Sequence, residues 1–170
     1  MTRPVKGDYS PYYESYISKV EGENGLTFLK SQLSYASKLF DSIPEDKGTY
    51  SYAAGKWSIK ELIGHIVDGE RIFAYRALCI ARRETKSLPG FEQDDYVKFG
   101  NFNKRKLQDL KNEFVTLRES NIVMFNNIDE ADLNRRGLAN GKEITALAIL
   151  FIIGGHAAHH LEILKNVYMK

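Results

Sequence analysis

Four stretches of this chain repeat apolar residues at helical spacing. Leu26, Leu29, Leu33, Ala36, Phe40 and Ile43 are separated by 3, 4, 3, 4 and 3 positions, which puts them on one stripe of an α-helix. Asn24 stands at the N-cap position and Pro44 ends the run. The second stretch opens on Ser58-Ile59-Lys60-Glu61, a capping box with Trp57 and Leu62 as a hydrophobic staple across it. Its seam is Ile59, Leu62, Ile66, Gly69 and Phe73, in a helix predicted to reach about Arg83. A second line on the same helix carries Glu61, His65, Asp68, Ile72, Tyr75 and Cys79. The third seam is Leu107, Leu110, Phe114, Leu117, Asn121, Met124 and Ile128, with Asn103 as its candidate cap. The fourth is Ile149, Ile153, His156, His160, Ile163 and Val167, with Thr145 as N-cap and Ile144 and Ile149 as the staple.

Between the seams lie a short lead-in helix over 11–19, a loop at 44–56, a long connection at 84–102 and a loop at 129–142. No stretch reads as a convincing strand. Four seams joined by loops predict an all-α four-helix bundle, formed as one domain over 1–170. Connections in compact domains are mostly about 4–6 residues long, so the one at 84–102 is long enough to serve as a crossover. It would make the second and third helices parallel.

Composition narrows the class. Hydrophobic residues are 43% and charged residues 27%, ordinary values for a globular protein, and the net charge of +2 argues for neither a nucleic-acid nor an anionic-membrane partner. The single cysteine, Cys79, excludes an intramolecular disulfide and fits a reducing compartment. The first ten residues have no apolar signal core, and the longest apolar run, 144–155, is well short of the roughly 18 residues of a spanning helix. The expectation is a soluble, cytoplasmic chain acting on a small molecule. No glycine-rich phosphate loop or nucleophile elbow is present.

The chemistry gathers at Gly154-Gly155-His156-Ala157-Ala158-His159-His160, which holds three of the four histidines. On a helix, His156 and His160 differ by about 40° in direction and about 6 Å in height. They are either two hydrogen-bonded core histidines or the two arms of a metal site. Each buried imidazole without partners costs about 1–3 kcal/mol, and one metal ion would serve both. His65 is the remaining histidine and sits toward the core side of a facing helix, a placement from which bundles build metal sites. Three imidazoles would hold a divalent ion with an open position. His159 points about 60° away from His156 and is either a surface residue or a group supporting the ligands or the substrate. Asp68, one turn from His65, is a candidate general base, fourth ligand or orienting carboxylate, or else a salt-bridge partner of Arg71 or Arg76. Arg76 either pairs with an internal acid or binds an anionic group of a substrate or co-substrate.

These residues resemble a known family. Gly55-Lys56-Trp57-Ser58-Ile59-Lys60-Glu61, Gly64-His65 and Asp68-Gly69-Glu70-Arg71-Ile72-Phe73-Ala74-Tyr75-Arg76 are similar to the second helix of the DinB/YfiT-like superfamily. Pro89-Gly90-Phe91, Arg136-Gly137 and Gly155-His156-Ala157-Ala158-His159-His160 continue the likeness in order. The resemblance spans about Tyr12 to Tyr168. It implies a bundle with a long crossover between helices 2 and 3, and a divalent-metal site of His65, His156 and His160, with Zn²⁺ or Ni²⁺ the expected ion. It also implies a homodimer as a common assembly. The family name refers to genes induced by DNA damage and implies no DNA binding. Some members transfer a low-molecular-weight thiol such as bacillithiol or mycothiol to electrophiles, and others are described as metal-dependent hydrolases. Thiol transfer is the preferred reading. Hydrolysis by metal-bound hydroxide, or a non-catalytic dimeric binding module with a structural or empty histidine site, are the alternatives.

Overall fold

A computed structural model describes residues 2–170. In chain order the elements are α1 (Glu14–Ile17), α2 (Gly25–Asp41), α3 (Ile59–Ala81), α4 (Gln93–Gly100), α5 (Leu107–Asn126), α6 (Glu130–Leu133), β1 (Arg136–Ala139), β2 (Lys142–Thr145) and α7 (Ala146–Ile163). Helix α7 runs on into a π-helical turn, Leu164–Tyr168. The four long helices are those expected, and they form a bundle.

Local chemistry sets their starts. The Asn24 side chain accepts from the Thr27 amide, and Thr145 accepts from the Ala148 amide. At α3 both halves of the capping box are made: the Glu61 amide donates to Ser58 Oγ at 3.1 Å, and the Ser58 amide to Glu61 Oε2 at 2.7 Å. Asn103 does not cap α5, which begins at Leu107 with Lys106 at the N-cap. The Asn103 side chain is committed to the start of α3 instead. It accepts from Ser58 Oγ at 2.6 Å and donates to Glu61 Oε1 at 3.0 Å.

The long connection is a crossover, and it carries a helix of its own, α4. The Ser58–Asn103 contact joins the start of α3 to the start of α5, and Glu70 meets Arg118 halfway along. Ile80 shares an apolar cluster with Phe125 and Ile128 at the far ends. Helices α3 and α5 are therefore parallel. Helices α2 and α7 run together in the opposite sense, with Gly25 against Phe151 and Gln32 bonded to the Gly154 carbonyl. The core forms two apolar clusters. One gathers the end of α3 and the start of α7 up to Ile153; the other gathers the start of α3 and the end of α7 from Ala157 onward. The paired histidines of α7 lie at the junction.

Two other expectations are corrected. Residues 136–145, read as part of a loop running into the fourth helix, form a hairpin with Arg136 opposite Thr145 and Ala139 opposite Lys142. Asn140 and Gly141 make its two-residue turn, both at positive φ (52° and 70°), the signature of a turn that matches strand twist. Leu88 bridges to this hairpin and anchors the crossover on it. On α5 the buried face is rotated from the apolar seam. Arg118 and Phe125 are fully buried, whereas Leu117 and Met124 are only partly covered. The Arg118 guanidinium donates to both carboxylate oxygens of Glu70, at 2.7 and 2.8 Å, and to Gln32 Oε1 at 2.8 Å. Asn121 also donates to Glu70. A charge this well partnered can occupy a core position that sequence patterning assigns to leucine.

The segment Ala146–Tyr168 is long and apolar enough to cross a membrane by composition, and 78% of that window is buried inside the bundle.

Candidate metal centre

His65 comes from α3, and His156 and His160 from successive turns of α7. All three are buried, at 2%, 5% and 8% exposure. One ligating atom from each lies within 4.8 Å of the others, and the Nε2 atoms of His65 and His156 are 3.0 Å apart. Nitrogens around a tetrahedral zinc ion, bound at about 2.0–2.1 Å, lie about 3.3 Å from one another. The His65–His156 separation is within a few tenths of an ångström of that spacing, and His160 lies close enough to complete the group. The Nδ1 atoms of His65 and His160 are buried with no hydrogen-bond partner among the described residues.

The backbone makes room for this meeting. A Cβ on Gly69 would come within 2.8 Å of the His156 ring. A Cβ on Gly155 would come within 1.9 Å of the Tyr16 carbonyl oxygen, so that glycine lets α1 lie directly on α7. Tyr16 consequently stands edge-on to His156 and His159, with ring centroids at 5.5 and 5.7 Å. On the other side the Trp57 ring lies 4.7 Å from His65, and its carbonyl accepts from the Tyr168 hydroxyl at 2.6 Å.

Electrostatics keeps the imidazoles neutral. Burial pulls His65 down to about 4, with His159 adding to the shift and Asp94 opposing it. Burial, then the charges of His65 and His159, pulls His160 down to about 3. His156 is pushed well below its ordinary value by burial and by His160 and His65. Neutral imidazoles near pH 7 present lone pairs, the form in which histidine binds metals. Burial also holds the Tyr16 hydroxyl protonated, with its pKa raised to about 12.

The group opens on a cavity of about 400 Å³. His65, His156, Tyr16, Phe73, Arg76, Phe91 and Asn140 are in its wall. The crossover and the hairpin both contribute to its wall. The loop at 44–56 does not line it, and the N-terminal tyrosines Tyr12, Tyr13 and Tyr16 do.

The other sequence candidates are distributed unevenly. His159 is half-buried beside Tyr16 and next to His160, outside the ligating group. Its pKa is lowered by burial and by Lys19. Asp68 is not brought to the histidines and makes no hydrogen bond to them. It is half-buried, with its carboxyl pKa raised by burial and opposed by Arg71. Arg71 itself pairs with Glu113 at 2.6 Å, and Arg105 pairs with the same carboxylate. Arg76 is in the cavity wall, and the internal acid expected as its structural partner is not found among the described residues; it donates to the Pro89 carbonyl at 2.5 Å. Sequence reasoning missed Tyr16 and Asp94 as neighbours of the site. Neither sits on a helical seam, and only the fold brings α1 and α4 to it.

A buried group of three histidines joining two helices of an up-down-down-up bundle, open to a cavity, defines a class of helical protein with a candidate metal centre. The chain belongs to the DinB superfamily, whose family model matches residues 29–164. Among solved structures it is similar to YfiT from Bacillus subtilis, described as a probable metal-dependent hydrolase with an unusual four-helix bundle topology. That likeness has a TM-score of 0.71 at 13% identity, over 96% of this chain and 90% of that one. It is also similar to a mycothiol-dependent maleylpyruvate isomerase, with a TM-score of 0.66 at 14% identity, over 84% of this chain and 58% of that longer one. At these identities the likenesses establish the fold. No curated protein matches the sequence.

Proposed function

We propose that this chain is a metal-dependent enzyme whose centre is His65, His156 and His160, holding Zn²⁺ or Ni²⁺, and that it transfers a low-molecular-weight thiol to a small electrophile. The carrying observation is the convergence of three neutral, buried imidazoles beside a cavity of small-molecule size. The description of one structural neighbour as mycothiol-dependent favours a thiol co-substrate. A divalent ion at this centre supplies a Lewis acid that favours the thiolate form of a thiol. The residues around it prepare the reaction. Trp57, Phe73 and Tyr16 wall the histidines with aromatic surface and limit water. The Tyr16 hydroxyl stays protonated and can donate a hydrogen bond to charge developing on a substrate. We assign the acceptance of the thiol proton to half-buried His159, which lies beside Tyr16.

Elemental analysis of untagged protein tests the centre. About one divalent ion per chain is expected in the wild type, with none retained in His65→Ala or His160→Ala. A thiol panel with a fluorogenic electrophile then tests the reaction. Product should require both the metal and an added thiol. Turnover of an ester or amide without thiol would replace transfer with hydrolysis, and a metal-free wild type after reconstitution would end the enzyme reading.

A further inference from the structure

Three arginines lie inside or against the bundle near the centre, and two of them have acids. Arg118 is paired with Glu70, and Arg71 with Glu113. Arg76 is only 4% exposed, yet among the described residues no carboxylate pairs with it. Its one hydrogen bond goes to the Pro89 carbonyl, and its guanidinium carbon lies 5.8 Å from the ring centroids of both Phe73 and Phe91. A guanidinium carries five N–H donors and stays charged in proteins. One carbonyl and two ring faces repay the burial of such a cation poorly. Arg76 also lines the cavity onto which His65 and His156 open.

We infer that Arg76 anchors a carboxylate of the substrate, holding it by the planar fork of the guanidinium while the rest of the molecule reaches toward the histidine centre. The inference rests on the reading of that centre as catalytic and adds the substrate class: a small, singly anionic carboxylate. Three features of the wall select it. Among the side chains of the wall Arg76 is the one buried cation, and in the metal-free protein it matches a single negative charge and leaves a dianionic phosphate half-compensated. The fork geometry matches two carboxylate oxygens. Phe73, Phe91 and Tyr13 offer flat apolar surface to the body of the ligand. Glu92 on the exposed rim opposes polyanions, and Lys142 on the same rim draws anions in.

Calorimetric titration of metal-free and zinc-loaded protein with benzoate, benzamide and inorganic phosphate tests this. Benzoate should bind both forms with a Kd on the order of 1 mM, the strength open to a ligand of its size. Benzamide and phosphate should bind at least about tenfold more weakly, as expected for loss of a charge-assisted hydrogen-bonded pair. Arg76→Lys and Arg76→Gln should each weaken benzoate by about tenfold or more while retaining the wild-type zinc content. In the metal-free protein, equal binding of benzoate and benzamide, tighter binding of phosphate than of benzoate, or benzoate affinity untouched by Arg76→Lys would overturn the anchor. So would benzoate binding confined to zinc-loaded protein, since the carboxylate would then sit on the metal. If Arg76→Gln does not fold, Arg76→Lys and the wild-type comparison of benzoate with benzamide decide. Because the metal-free arm needs no ion, failure of the metal reading and failure of the anchor give different results.

Discussion

A histidine that cannot easily accept a proton is a base held ready for something else. His65 and His160 titrate near 6.5 in an unfolded chain and at about 4 and about 3 in the fold. Between those values the unfolded chain binds more protons than the native one. Their contribution to stability is therefore fully present above about pH 6.5 and is lost as pH falls toward 4. The melting temperature of metal-free protein should drop between about pH 6.5 and 5, a window largely above carboxylate titration. A His65→Asn/His160→Asn variant should lose a large part of that slope, with His156 and His159 supplying the rest, and a flat wild-type profile would mean the imidazoles are not held neutral. Spacing marked His156 and His160 as a pair on successive core positions, His65 was added as the remaining histidine on a facing helix, and the fold brings the three together. Tyr16 was not legible. Its place beside His156 depends on Gly155 admitting the backbone of α1, a contact between positions far apart in sequence.

At the scale of elements, caps and seams placed α2, α3 and α7 well, because those signals are local and act within one or two turns. Helix α5 was placed but misoriented, because hydrophobic periodicity cannot anticipate a buried arginine. The Arg118–Glu70 pair, with side chains 0% and 2% exposed, ties α5 to α3. Gln32 carries the link on to the Gly154 carbonyl of α7, two residues before His156. Arg118→Leu leaves Glu70 buried without its counter-charge and should cost about 3–5 kcal/mol of unfolding free energy, read from urea denaturation. Glu70→Leu/Arg118→Leu should cost clearly less than the two single changes added together. Additive losses would show that the pair acts as two independent side chains. The hairpin was the clearest missed element. Its Asn140-Gly141 turn is a strong local signal, outweighed by how short and sparsely apolar the flanking strands are.

For the whole molecule, the centre joins α3 to α7 across the boundary of the two apolar clusters, so an ion bound there links them only in the native state. Zinc at 100 times its dissociation constant should add about 2.7 kcal/mol. For a chain of this size that corresponds to a rise of about 5–10 °C in melting temperature. His65→Ala should show little of this rise, and an equal rise in that variant would place the ion elsewhere. The sequence by itself determined four amphipathic helices, three of their caps and the histidines on core positions, because each is written in spacings of a few residues; the crossover was implied by the family resemblance and allowed by the length of the 84–102 connection. Tertiary structure alone decided the rotation of α5 and the absence, among the described residues, of a carboxylate partner for Arg76. It also decided the displacement of Asp68 from the histidines and the arrival of α1 and the hairpin at the cavity. Those depend on which side chains meet across the bundle, and residues that meet there, such as Gln32 and Gly154 or Arg76 and Phe91, share no local pattern.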